Sequence, residues 1–325
     1  TTVGYGAMAE AAWIRSCQLE GGAILTYEAE DDAPGSVNPY FAAQAALGLI
    51  AYPTDENLAA ARDYLNWHTM ELLASDGVMT NYTIDDYDDG MLAANGVRDS
   101  VDSYAAEYLL LLAGYADAVA DVVGETDSTN GDGVQVDAGE AVDGGDVKMV
   151  GGGMDGSSAT YALPSDWMQA VAMLKDVLDS VTKNGITYTD VDFRIAYLMD
   201  NCEVYEAAAA IGEAMVRDGG LSVAADRNEA AGNSGAATNA AVAEWYVDYA
   251  EELKQRIPEV FFLRDENVYT FAVSADLTPF GTPDFDDFYY IRYANNLNQT
   301  IQSKSRIHGS KAGYGRKRRH LFQNY

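Results

Sequence analysis

The chain has 325 residues, 48% of them apolar, which is enough for one large domain or two ordinary ones with a real core. Its formal net charge of −31 would repel a phosphate backbone, so nucleic acid is excluded as a partner of the body of the protein. The sequence has no run of about 18 apolar residues, so no membrane span is expected.

A salty medium or an exposed setting would screen such self-repulsion, and an extracellular or cell-surface location is expected; an ordinary acidic soluble protein is the alternative. The charge is uneven. No acid follows Asp287, whereas seven cations from Lys304 to Arg319 crowd the end, leaving 13 for the rest of the chain against 51 acids. This basic tail, 301–325, reads as disordered, as folded back on the acidic body, or as a self-association contact in which it meets the body of the next copy.

Hydrophobic periodicity predicts helices over 6–19, 39–51, 55–74, 100–123, 164–182, 201–217 and 236–256. Cys17 and Cys202 fall within or beside two of them and read as buried thiols. The second and sixth helices are rich in alanine and the fourth is apolar nearly all round, so the even-numbered helices belong inside and the odd-numbered ones outside. Residues 124–159 lose the helical period and read as an acidic insertion loop. After Pro258 the composition turns aromatic and β-branched, which predicts an extended, β-rich segment over 258–300 following an all-α domain at 1–257.

One pattern recurs along the helical part. The Gly-led turns at Gly21–Tyr27, Gly77–Tyr82 and Gly185–Thr189 each precede a more apolar helix that opens on a polar residue beside a tyrosine. Those openings are Asn38-Pro39-Tyr40, Asp102-Ser103-Tyr104 and Asn201-Cys202-Glu203-Val204-Tyr205. Repeated αα-hairpins of this kind would gather the polar-aromatic pairs at one end of the molecule, where a polar ligand binds.

Several strings resemble the six-hairpin glycosidase group. They are Trp13-Ile14-x-x-x-Gln18-Leu19-x-Gly21-Gly22, Asn38-Pro39-Tyr40-Phe41-Ala42, Tyr64-Leu65-Asn66-Trp67, Asp99-Ser100-Val101-Asp102-Ser103-Tyr104 and Tyr197-Leu198-Met199-Asp200-Asn201-Cys202-Glu203. The resemblance implies an (α/α) toroid, a secreted protein and a polysaccharide ligand. A complete toroid of that type has two helices in each of its hairpins, more than the seven predicted here.

Glycoside hydrolysis needs one protonated carboxyl to assist the leaving oxygen and one ionised carboxyl as base or nucleophile. Asp102 and Glu203 open different inner helices and are the candidate pair, with Asp99 and Asp200 placed to tune their titration. An acid before a helix is first of all a cap, and that reading stands beside the catalytic one. Asn38, Tyr40, Tyr104, Tyr188 and Trp13 are candidate sugar contacts, since an aromatic face stacks on a pyranose; core packing is the competing role for each. No cofactor is required for this chemistry. Calcium is the metal that Asp86, Asp88 and Asp89 would hold, although a solvated acidic loop explains the same string. A non-catalytic surface or filament-forming protein on a glycosidase-like scaffold is the rival reading.

Overall fold

The computed structural model describes residues 2–27, 35–85, 91–129, 148–150, 160–162, 164–217 and 234–280. The Asp86, Asp88 and Asp89 string, most of the acidic insertion and the basic tail lie outside these residues.

Seven helices carry the fold: α1 Thr2–Ser16, α2 Pro39–Ile50, α3 Asp55–Ala74, α4 Val101–Thr129, α5 Ser165–Val181, α6 Leu198–Arg217 and α7 Ser234–Phe261. Between them run short antiparallel strands: β1 Ser36–Val37, β2 Tyr82–Asp85, β3 Met91–Ala94, β4 Lys148–Val150, β5 Thr160–Ala162, β6 Thr182–Lys183, β7 Ile186–Thr187 and β8 Ile195–Tyr197. After α7 come β9 Phe262–Leu263, β10 Val268–Tyr269 and β11 Ala272–Ser274. Among the described residues no helix is long and apolar enough to cross a membrane.

Local signals set the helix starts. Asn38 caps α2 by accepting from the amides of Tyr40 and Phe41, with Pro39 in the first position, where its missing N–H costs nothing. Thr54 caps α3 through the amide of Asn57, and Asp55 and Glu56 suit the positive end of the helix dipole. On α5 the buried positions Trp167, Met168, Val171, Leu174 and Leu178 keep helical spacing.

The helices pack in two rows. In one, α2 lies against α4 and α4 against α6; in the other, α1, α3, α5 and α7 follow one another. Each hairpin spans both rows, so the even-numbered helices form one layer, as the composition predicts. Tyrosines build much of the core, and several satisfy their hydroxyls there. Tyr64 donates to the Pro39 carbonyl at 3.0 Å, Tyr246 to that of Val171 at 2.8 Å, and Tyr108 pairs with Thr69 at 2.7 Å.

The structure corrects three boundaries. α4 continues through Thr129, so the first residues assigned to the insertion loop are helical, and β4 pairs with β5 within or beside that region. α6 begins at Leu198 rather than Asn201. α7 runs past Pro258 to Phe261, although a proline gives up the backbone bond to the carbonyl four residues back, that of Lys254. Of the residues after α7, those described, 262–280, contact the helical part: β11 pairs antiparallel with β8, and the Leu198 amide donates to the Phe271 carbonyl at 2.8 Å.

Candidate active site

The Gly-led turns place the starts of the inner helices. Gly22, Gly77 and Gly185 have φ of +96°, +83° and +75°, a left-handed backbone that favours glycine. After each turn the chain tethers the next inner helix. The Thr26 hydroxyl accepts from the Asn38 amide at 2.9 Å, and Asn81 Oδ1 accepts from the Tyr104 hydroxyl at 2.9 Å. At the third turn Asn201 accepts from the Thr187 amide at 2.8 Å and donates to the Thr187 carbonyl at 3.0 Å. The recurrence in sequence is therefore a recurrence in structure.

These tethers bring the starts of α2, α4 and α6 together. Asn38 Nδ2 donates to the Tyr104 hydroxyl at 3.3 Å, joining α2 to α4, and the Tyr40 hydroxyl donates to Glu203 Oε1 at 2.7 Å, joining α2 to α6. Ser100, just before α4, closes the set. Its hydroxyl lies 2.5 Å from Asp102 Oδ1 and 3.1 Å from Asp200 Oδ2, so one hydroxyl stands between carboxylates of two helices.

Four carboxyl groups are buried here: Asp102 at 0% exposure, Glu107 at 3%, Asp200 at 4% and Glu203 at 5%. Their titration follows from that burial. Desolvation first, and then the charges of Asp102 and Glu206, push Glu203 up to about 7. Desolvation and the charge of Glu203 push Glu107 up to about 8. Asp200 is raised well above the usual carboxylate range by burial and by the charges of Asp102 and Glu203. Asp102 is raised by burial too, while the hydrogen bonds from the Ser100 hydroxyl and the Ser103 amide favour its ionised form. Asp102 and Asp200, joined through the Ser100 hydroxyl, are thus both held above the usual carboxylate range by burial. Asp102 Oδ2, Glu107 Oε2 and Glu203 Oε2 are buried without a hydrogen-bond partner.

Asp102, Asp200, Glu203, Asn38, Tyr40 and Tyr104 are brought together as the sequence suggests. The others fall elsewhere. Asp99 is exposed in the loop before α4. Trp13 is 63% exposed on α1, in the other helix row, and so is not gathered at the starts of the inner helices. Tyr188 is buried beside the third turn at 1% exposure. Asn38 is occupied as the α2 cap and as the donor to Tyr104. The sequence reading missed Glu107, a single acid inside an apolar run, and the bridging role of Ser100, whose type and position signal only a cap.

Among the described residues no group of three His, Cys, Asp or Glu side chains is arranged to hold a metal ion. Cys17 and Cys202 are buried and not joined to each other in a disulfide, and burial raises the Cys202 thiol above its usual range. Comparison with family models, with curated proteins and with solved structures finds no match to this chain.

Proposed function

We propose that the two-row helix array is part of an (α/α) toroid of the six-hairpin type, and that the protein is an extracellular glycoside hydrolase acting on a polysaccharide. The observation that carries this reading is the buried carboxyl cluster at the starts of α4 and α6, where Glu203 titrates near 7 beside an Asp102 supplied with hydrogen-bond donors. General acid–base work needs such a pair, one carboxyl keeping its proton near neutral pH and one giving it up. Glu203, oriented by the Tyr40 hydroxyl, gives its proton to the glycosidic oxygen as the bond to the anomeric carbon breaks. Asp102 takes a proton from the attacking water. Asp200, protonated, and Ser100 hold Asp102 in place.

A second reading is supported by the depth of the cluster. Asp102 is wholly buried, as expected of a group that locks helix starts together in a non-catalytic surface or filament-forming protein.

Reducing-end release from a panel of plant, microbial and host polysaccharides separates the two, with Asp102→Asn and Glu203→Gln measured alongside and folding checked by circular dichroism. Release by the parent protein that both variants lose supports hydrolysis. Full turnover by Asp102→Asn removes Asp102 from the mechanism. Silence on every glycan from a folded parent protein favours the scaffold reading.

A further inference from the structure

Ser100 has a single hydroxyl hydrogen and stands between two carboxyl groups. Its oxygen lies 2.5 Å from Asp102 Oδ1 and 3.1 Å from Asp200 Oδ2. Each contact needs a hydrogen between its two oxygens, because facing acceptors repel. The hydroxyl serves one of them. The Ser103 amide donates to Asp102 Oδ1 at 3.0 Å and leaves the Asp200 contact unserved. The missing hydrogen therefore comes from a carboxyl, and the bridge is complete only while Asp102 and Asp200 hold one proton between them.

No cation stands ready to replace that proton. The pair is buried, and no ion pair formed among the described residues includes either aspartate. Asp200 faces Glu203 and Cys202 of its own helix, and Asp102 faces Tyr249 of α7. Around Glu203 stand Glu206, Glu107 of α4 and the Tyr40 hydroxyl of α2. Every one of these groups is neutral or negative. Loss of the proton leaves two like charges about one hydroxyl, in surroundings that screen them poorly.

We propose that Asp102, Ser100 and Asp200 form a clasp operated by one proton, which joins the start of α4 to that of α6 when closed and opens the carboxyl cluster to solvent when released. A proton bound in the closed state and lost in the open one favours closure at low pH and release as pH rises. The release is local. The Val101 amide still donates to the Thr189 carbonyl at 2.7 Å and Asn201 still accepts from the Thr187 amide at 2.8 Å, and neither bond involves the clasp. The clasp does not depend on the hydrolase reading.

The test is amide hydrogen exchange in the first turns of α4 and α6 of the full chain, from about pH 5 to about pH 9, with the intrinsic rate at each pH divided out. Opening coupled to the loss of one proton grows about tenfold per pH unit. Asp200→Asn supplies the second hydrogen from its amide at every pH, so its slope should be one proton smaller and these turns should stay protected at high pH. Glu203 and Glu107 titrate in both proteins, so the difference belongs to the clasp. Ser100→Ala should weaken protection about tenfold at pH near 5, the scale of one charge-assisted hydrogen bond, and Ser100→Thr should restore it. Circular dichroism checks each fold, and the two Ser100 variants decide the matter where Asp200→Asn does not fold. An equal slope in Asp200→Asn and the parent, or undiminished protection in Ser100→Ala, overturns the proposal.

Discussion

The Tyr40 hydroxyl donates to Glu203 Oε1 at 2.7 Å and so joins the first turn of α2 to α6. The bond favours the ionised carboxylate and opposes the burial that raises it. Tyr40→Phe should therefore move the Glu203 titration upward from about 7 and cost about 1–2 kcal/mol of stability above that pH. Carboxyl-carbon NMR titration reads the first effect and urea unfolding the second. A Glu203 titration that stays in place would show that Tyr40 does not bond the ionised form.

Glu203 and Glu107 titrate near 7 and 8 in the folded chain, against an ordinary value of 4.5. Between those values the native state binds more protons than the unfolded one, so stability is fully present below about pH 4.5 and declines as pH rises through 7 and 8. For Glu203 alone the loss is on the order of 3 kcal/mol. Urea midpoints should fall from about pH 5 to pH 8, and Glu203→Gln should flatten that slope. An equal slope in the variant would place the titration elsewhere.

His68 works in the opposite direction. It is wholly buried, with ring contacts to Tyr64, Trp67 and Tyr108 at 5.5, 6.1 and 5.0 Å, and neither nitrogen has a hydrogen-bond partner. Burial lowers its titration to about 3, so below its ordinary 6.5 only the unfolded chain takes up the proton and stability falls with pH. His68→Phe keeps the aromatic packing and removes this linkage. The variant should gain about 2 kcal/mol over the parent at pH near 5, with a smaller difference near pH 8. A pH-independent difference between the two proteins would refute the assignment.

Gly22 tests the turn that introduces α2. A Cβ there would lie 2.3 Å from the Asp63 carbonyl oxygen, on a backbone with φ of +96°. Gly22→Ala should cost at least about 2 kcal/mol in thermal or urea unfolding. The neighbouring Gly21 has nothing within 4 Å of the same position, and Gly21→Ala should stay within about 1 kcal/mol. Equal costs at the two sites would mean that the close approach is not maintained in solution.

Some of this organisation is legible in the sequence and some is hidden by it. The helices announce themselves through period and caps, as with Asn38 before α2 and Thr54 before α3. The gathering of Tyr40, Asp102 and Glu203 follows from the repeated turn-and-helix pattern. The start of α6 is obscured because β8 runs directly into it without a capping residue, and its first free amide is satisfied by a distant carbonyl, that of Phe271. Pro258 reads as a stop signal, yet α7 continues for one more turn's worth of residues, to Phe261. Ser100 and Asp102 spell a helix cap, and nothing local tells that Asp200 waits on the other side of the same hydroxyl.

The pairing of β11 with β8 ties the chain after α7 to the start of the helix bearing Asp200 and Glu203. That segment places no carboxyl in the cluster, yet it holds one wall of it like a latch. A protease cut between α7 and β11 would sever the latch while sparing every acid. The contact also joins segments far apart in sequence, which makes its closure a late event as the chain folds. The carboxyl cluster would then be completed only once the synthesised chain had extended well beyond the last residue that lines it.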